Sequence, residues 1–209
     1  MAGAAIVLVA AVDAGRDSLR VDRFFQQDDT RTQAAHWIER SVLPGASILV
    51  QPYSVPLRMS HAGLVEALTA HLGSPERASI KFQRQLALRP YPAPAYRTLY
   101  LGTGGLDVDR LYIDPAEFTA ESGSAPLRGR SVEYIVLKKR YNEEPDPTLS
   151  ALDVVLSREG RRLAVFSPFR QDADPDAKAA VAPFLHNTDT RVHPALERPG
   201  PTIEIWRIN

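Results

Sequence analysis

The chain has 209 residues, which fits one domain with a sizeable core, and its hydrophobic fraction of 44% and charged fraction of 24% are those of a globular protein. Its 25 basic and 25 acidic residues cancel, so the composition lacks the basic excess that predicts a nucleic-acid partner. The absence of cysteine excludes disulfides and thiolate metal sites.

The N-terminus carries an apolar run, AAIVLVAAV, at residues 4–12. This run is about half as long as a membrane span, which needs roughly 20 apolar residues. A secretory signal is not expected, because no basic residue precedes the run. Two interpretations stay open on periodicity alone: a buried strand, or the last turns of a transmembrane helix.

The next segments alternate between helix and strand. Thr30 and Gln33 have the spacing of a capping box, and the apolar residues that follow predict a helix ended by Pro44-Gly45. Residues 47–53 predict a strand, and Ser60 predicts the start of a second helix that ends at Gly73. A third helix starts at residues 74–76, but residues 80–88 fit helical and strand periods equally well.

The remaining pattern completes an α/β fold. A further helix is predicted between Pro147 and Gly160, and strands are predicted at residues 96–101, 111–113, 133–138, 163–166 and 203–208, the last of them at an edge of the sheet. Because strands and helices alternate, we expect a single three-layer Rossmann-like domain with a mainly parallel sheet and helices on both faces. The 17 prolines predict long Pro-rich loops.

A glycine-rich turn with two aspartates forms one candidate binding site. Gly104 lies in the run GTGG at residues 102–105, and Asp107 and Asp109 form a D-x-D motif just after it. In nucleotide-sugar transferases, a D-x-D after a strand holds a divalent cation against the diphosphate. The alternative is a glycine turn with a solvated acidic pair, which is favoured because no helix follows the glycines.

Basic residues form a second candidate site. Lys138, Lys139 and Tyr141 follow a strand, at the sheet edge where ligands of parallel sheets usually bind, so they could meet a lipid phosphate. The simpler interpretation is a solvated edge whose charges prevent strand pairing. Arg31, beside Asp29, is either a phosphate clamp or a stabiliser of its own helix start.

Two possible metal sites are weak. His186, Asp189 and His193 match no rigid helical spacing, and Pro194 disfavours a helix there. Residues 172–176 imitate the start of a calcium loop but lack its glycine and its glutamate. We therefore expect neither a metal nor a cofactor.

Two segments resemble a known family. Residues 28–57, DDTRTQAAHWIERSVLPGASILVQPYSVPL, and residues 198–208, RPGPTIEIWRI, are similar to the soluble tail of bacterial polytopic glycosyltransferases of the protein mannosyltransferase and aminoarabinose transferase type. In that family the last transmembrane helix leads through a charged linker into a DTR…A..WI…P.G..I helix–strand unit. The most specific part is Asp29-Thr30-Arg31 ahead of Trp37-Ile38.

The resemblance implies a role without chemistry of its own. Such enzymes move a sugar from a polyprenyl-phosphate carrier to an acceptor outside the cytoplasm, and their catalytic acidic residue lies between transmembrane helices. No catalytic residue is therefore carried over to this chain. The resemblance implies that residues 1–27 are the end of a truncated transmembrane helix plus a linker. Residues 28–209 are then an extracytoplasmic domain, inactive alone, on the periplasmic side of a bacterial membrane.

The partners implied are the missing transmembrane region, a lipid-linked sugar and its acceptor. Two alternatives stay open from the residues themselves. The first is a free-standing α/β module that binds a ligand at the strand ends near residues 102–109 or 138–141. The second is a nucleotide-sugar transferase that uses Asp107 and Asp109.

Overall fold

The computed structural model describes residues 15–119, 121–139, 147–181 and 192–208. The helices are α1 (residues 15–25), α2 (Thr30–Ser41), α3 (His61–Leu72), α4 (Ile80–Leu86), α5 (Ala125–Arg128), α6 (Pro147–Glu159) and α7 (Pro175–Ala179). The strands are β1 (Ser47–Val50), β2 (Arg97–Leu101), β3 (Leu111–Ile113), β4 (Tyr134–Lys139), β5 (Gly160–Phe166) and β6 (Thr202–Ile208).

The six strands form one sheet in the order β3-β2-β1-β4-β6-β5. The ladders that join β3, β2, β1 and β4 are parallel, whereas β6 runs antiparallel to both of its neighbours. The α/β class is thus confirmed, but the sheet is mixed where a mainly parallel one was expected. The difference comes from β6. An antiparallel strand can join its neighbour without a helical crossover, so the alternation of strands and helices does not indicate its direction.

The prediction that residues 203–208 form an edge strand was wrong, because β6 lies between β4 and β5. Its burial shows why it belongs inside the sheet: Ile203 and Ile205 are fully buried. The edge is instead β5, which carries a register shift between Arg162 and Ala164.

One face of the sheet is covered by α2. Ala34 and Ile38 of this helix share a buried cluster with Ile48 and Val50 of β1. The capping-box spacing at Thr30 located the right helix, but the cap is Asp29, whose side chain accepts from the Arg31 N–H. Ile203 and Ile205 of β6 belong to the same cluster, so α2 also packs on the antiparallel strand.

The opposite face is covered by α6. Leu152 and Leu156 share a cluster with Leu49 of β1 and with Ile135 and Leu137 of β4. Since successive residues of a strand point to opposite faces, the central strands are buried on both sides. This double burial explains the uninterrupted apolar runs of β1 and β4.

The ambiguous segment after residue 80 is helical. Phe82 of α4 packs on Leu64 and Leu68 of α3, in a satellite cluster beside the sheet. Leu86, four residues after Phe82, packs against the same cluster, whereas Ile80 and Leu88 are exposed, so the buried positions follow the helical period. The helix start predicted at residues 74–76 is a single 3₁₀ turn, Pro75–Arg77.

The charged stretch that follows the apolar N-terminal run forms α1. Phe24 is buried with Phe169 and Leu196, so the helix is packed against the domain. Residues 4–12 lie outside the described residues, and both interpretations of them stay predictions. Among the helices that the structure describes, none is long and apolar enough to cross a bilayer.

The start of α2 is clasped by the loop that leads into β6. The Thr30 N–H donates to the Pro199 carbonyl at 3.0 Å, and the Thr30 hydroxyl donates to the Pro201 carbonyl at 2.6 Å. Between them, Gly200 has a φ of +104°, and an added Cβ would collide with the side chains of Thr30 and Asp29. We call residues 29–30 and 199–201 the clasp.

Gly200→Ala is expected to lower the free energy of unfolding by about 2–4 kcal/mol, because it adds backbone strain to a steric collision. Urea denaturation measures the change. The matched control is Gly105→Ala, since a Cβ at Gly105 meets nothing within 4 Å. Equal free energies of unfolding for Gly200→Ala and Gly105→Ala would contradict the claim that the clasp requires glycine at position 200.

Candidate functional site

The strand order reverses direction between β1 and β4. From β1 the chain adds β2 and then β3 on one side, and it adds β4 on the other side. Connections that leave two neighbouring parallel strands in opposite directions open a crevice beyond their carboxyl ends. Ligands of open α/β sheets bind in such crevices, so the ends of β1 and β4 form the candidate site.

Gln51 joins the two strand ends. Its N–H donates to the Val136 carbonyl at 2.9 Å, and its side-chain oxygen accepts from the Lys138 N–H at 2.8 Å. β4 therefore holds both the backbone and the side chain of Gln51. These hydrogen bonds fix the two strand ends beside which the crevice is expected.

Tyr53, two residues after Gln51, has a strained backbone conformation. It has a φ of +64°, which is rare for a bulky residue, and its side chain is 83% exposed. The turn is held by Ser54, whose hydroxyl and N–H both donate to the Gln51 carbonyl. Lys138 Nζ lies 5.4 Å from the centre of the Tyr53 ring.

An exposed ring beside an ammonium group suits a ligand with an anionic group and a flat or apolar face. Strained residues concentrate at functional sites, so Tyr53 is the main addition to the site. Sequence reasoning placed Tyr53 at the end of a strand and missed it. A positive φ at a non-glycine residue leaves no signal in the sequence.

Lys139, the second predicted cation of β4, pairs with a residue of α6. Lys139 Nζ lies 2.8 Å and 2.9 Å from the two carboxylate oxygens of Asp153 on α6. The pair is half-exposed and ties the end of β4 to α6. Tyr141 lies outside the described residues, so its role stays a prediction.

The glycine turn and the D-x-D motif lie beyond β2, on the same edge of the sheet. Gly104 has a φ of +96°, and a Cβ added there would lie 3.9 Å from the ring of Tyr112. Asp107 forms an ion pair with Arg110 at 2.9 Å, and Arg110 in turn lies over the ring of Tyr100 at 4.8 Å.

The carboxylate of Asp107 therefore already has a partner, and the D-x-D motif adds only one other carboxylate, that of Asp109, as a possible metal ligand. Among the described residues, no three acidic or histidine side chains come together as a metal-binding group. The D-x-D remains a prediction that no third ligand supports.

Arg31 lies at the start of α2 and faces Asp29. Its guanidinium donates to both Asp29 carboxylate oxygens, at 2.9 Å and 2.7 Å. Burial favours a higher pKa for Asp29, but the hydrogen bonds from the Arg31 side chain and N–H outweigh it and lower the pKa. The same side-chain hydrogen bond raises the pKa of Arg31. This geometry matches the helix-start interpretation, and the phosphate-clamp interpretation stays a prediction.

The weak metal candidates show local roles where they are described. His193 Nδ1 accepts from the Ala195 N–H at 3.2 Å, and His186 and Asp189 lie outside the described residues. Asp174 caps α7, and Asp172 pairs with Arg170. These contacts give the aspartates structural partners.

A comparison of the chain with known protein families, curated proteins and solved structures finds no match. The candidate site therefore depends on the geometry of the strand ends alone.

Replacing Tyr53 tests the strain at the crevice. Tyr53→Gly is expected to be more stable than Tyr53→Ala by about 1 kcal/mol, because alanine is disfavoured at positive φ and glycine is not. Leu43, exposed and without a positive φ, is the control, and there alanine should be the more stable replacement. If the glycine and alanine variants had the same order of stability at both positions, Tyr53 would be shown to be unstrained.

The ion pair at the start of α2 predicts a pH dependence. Because the pKa of Asp29 is lowered by folding, its charge stabilises the fold above its unfolded pKa of about 3.9, and that stability is lost as pH falls through the folded pKa. Asp29→Asn keeps a capping side chain but removes the charge. The free energy of unfolding of the wild type should exceed that of Asp29→Asn by about 1 kcal/mol at neutral pH, and this difference should disappear in acid. A gap independent of pH in urea denaturation would disprove the assignment.

Proposed function

We propose that this chain is the non-catalytic extracytoplasmic domain of a membrane glycosyltransferase that moves a sugar from a polyprenyl-phosphate carrier to an acceptor. The proposal includes a Rossmann-like three-layer arrangement and a place on the periplasmic side of a bacterial membrane. Its partners are the transmembrane region of the same enzyme, the lipid-linked sugar and the acceptor.

One observation carries the proposal beyond the resemblance. The two segments that resemble the family, residues 28–57 and 198–208, meet at the clasp, where Thr30 and Pro201 are 171 positions apart. Two short likenesses far apart in the chain thus form one structural unit, as expected if they were retained together. Helix–Pro-Gly–strand units are common on their own, so the joint occurrence is the specific part.

The crevice gives this domain a surface for recognition. Tyr53 and Lys138 would contact the anionic or sugar part of the donor or the acceptor, while the chemistry takes place in the transmembrane region. An exposed aromatic ring and an ammonium group bind such groups without any catalytic residue.

The DNA upstream of the Met1 codon tests the proposal directly. An open frame that continues into several apolar spans of membrane length is the expected result, because the catalytic region lies there in the family. A stop codon and a ribosome-binding site immediately upstream would refute the proposal.

The purified chain is expected to transfer no sugar from a polyprenyl-phosphate donor, because the family's catalytic acid lies between transmembrane helices and is carried over to no residue of this sequence. A radiolabelled donor with extraction of the product measures transfer. Turnover by the purified chain that is lost in Lys138→Ala would contradict the non-catalytic role.

A free-standing ligand-binding module is the second candidate. The specific observation in its favour is the crevice itself, because the reversal of strand order and the strained Tyr53 occur together there. A stop codon upstream would make this candidate the leading one. Ligand screening by wild type and Tyr53→Ala would then identify what binds.

A further inference from the structure

A cavity of about 630 Å³ lies between α1 and residues 192–197, at some distance in sequence from the crevice. Four of the side chains that line it are arginines: Arg16, Arg20 and Arg23 of α1, and Arg170 after β5. One carboxylate, Glu197, lines it with them. The arginines in the lining therefore outnumber its carboxylates, and the lining is positively charged.

The arginines of α1 are placed together by helical geometry. Arg16, Arg20 and Arg23 are spaced by four and three residues, so their side chains lie on one face of the helix. Phe24, at the flank of that face, is buried against Phe169 and Leu196 and anchors the helix. The anchor fixes the arginine face over the cavity.

The charges of the cavity are only partly compensated. Arg170 pairs with Asp172 at 3.2 Å, and Glu197 pairs with Arg198 at 2.6 Å. Within the described residues, no carboxylate forms an ion pair with the three α1 arginines. Like charges on one helix face destabilise it, so this arrangement favours an anion bound between them.

The chemistry of the lining indicates which anion. Guanidinium groups match the geometry of phosphate oxygens and donate to them in pairs. Leu19, which is 57% exposed, lies beside the arginines with Val192 and Leu196. A ligand that fits has a phosphate group at one end and an apolar group at the other.

We propose that the cavity between α1 and residues 192–197 binds the phosphate group of an amphiphilic phosphate ester. The proposal holds whether or not the chain belongs to a glycosyltransferase. The phosphate can come from the headgroup of a lipid in a bilayer or from a soluble phosphate compound. An open cavity with arginines on one side and an apolar flank favours this class over an extended acidic peptide.

Two binding measurements separate these sources. Cosedimentation with phosphatidylcholine vesicles, with and without phosphatidylglycerol, measures binding to a lipid phosphate. Calorimetry with hexyl phosphate, a soluble ester with an apolar chain, measures binding to a soluble one. Arg20→Gln/Arg23→Gln should weaken whichever binding occurs by about tenfold or more, since a charge-assisted hydrogen bond contributes at least about one factor of ten.

The matched control is Arg40→Gln/Arg84→Gln, which removes the same charge from exposed helix positions outside the cavity. It should bind as wild type does, and thermal melting should show both double variants folded. Vesicle binding alone identifies a lipid headgroup, and hexyl phosphate binding alone identifies a soluble phosphate ester. The proposal would be overturned if the chain bound neither ligand, or if the two double variants lost binding equally. It would also be overturned if the chain bound polyglutamate, measured in the same way, and neither phosphate ligand.

Discussion

The clasp between the start of α2 and the loop before β6 is the contact on which the arrangement of the sheet depends. It joins the first helix over the sheet to the last strand within it, and two of its hydrogen bonds reach the backbone of residues 199–201. Because β6 separates β4 from β5, the position of β5 depends on the same contact. A glycine is required where the two segments touch, so the sequence cannot vary freely there.

Local signals in the sequence predicted α2, α3, α6 and all six strands, whereas α1, α5 and α7 were not predicted. Ser60 caps α3 through the Gly63 N–H, and Gly73 ends that helix with a φ of +77°, as the residue types indicated. Such caps involve groups within a few residues of each other, so a pattern of neighbours is enough to find them. The α/β class followed from the alternation of these elements.

Long-range relations could not be read in this way. The direction of β6 and its place inside the sheet depend on partners that are distant in the chain, and an apolar strand looks alike at an edge and in the interior. Tyr53 was missed because backbone strain has no residue code outside glycine. The arginine-lined cavity was missed because Arg170 meets the α1 arginines only in the folded chain.

The irregular edge strand has a consequence for how the molecule behaves in a crowded compartment. A regular sheet edge is a template for another chain, and long flat edges promote aggregation. β5 interrupts its register between Arg162 and Ala164 and carries exposed arginines at 161 and 162. The shift twists the hydrogen-bonding groups out of line, and the positive charges repel an identical strand. The opposite edge, β3, is only three residues long. Both edges of the sheet thus discourage fibrous self-association.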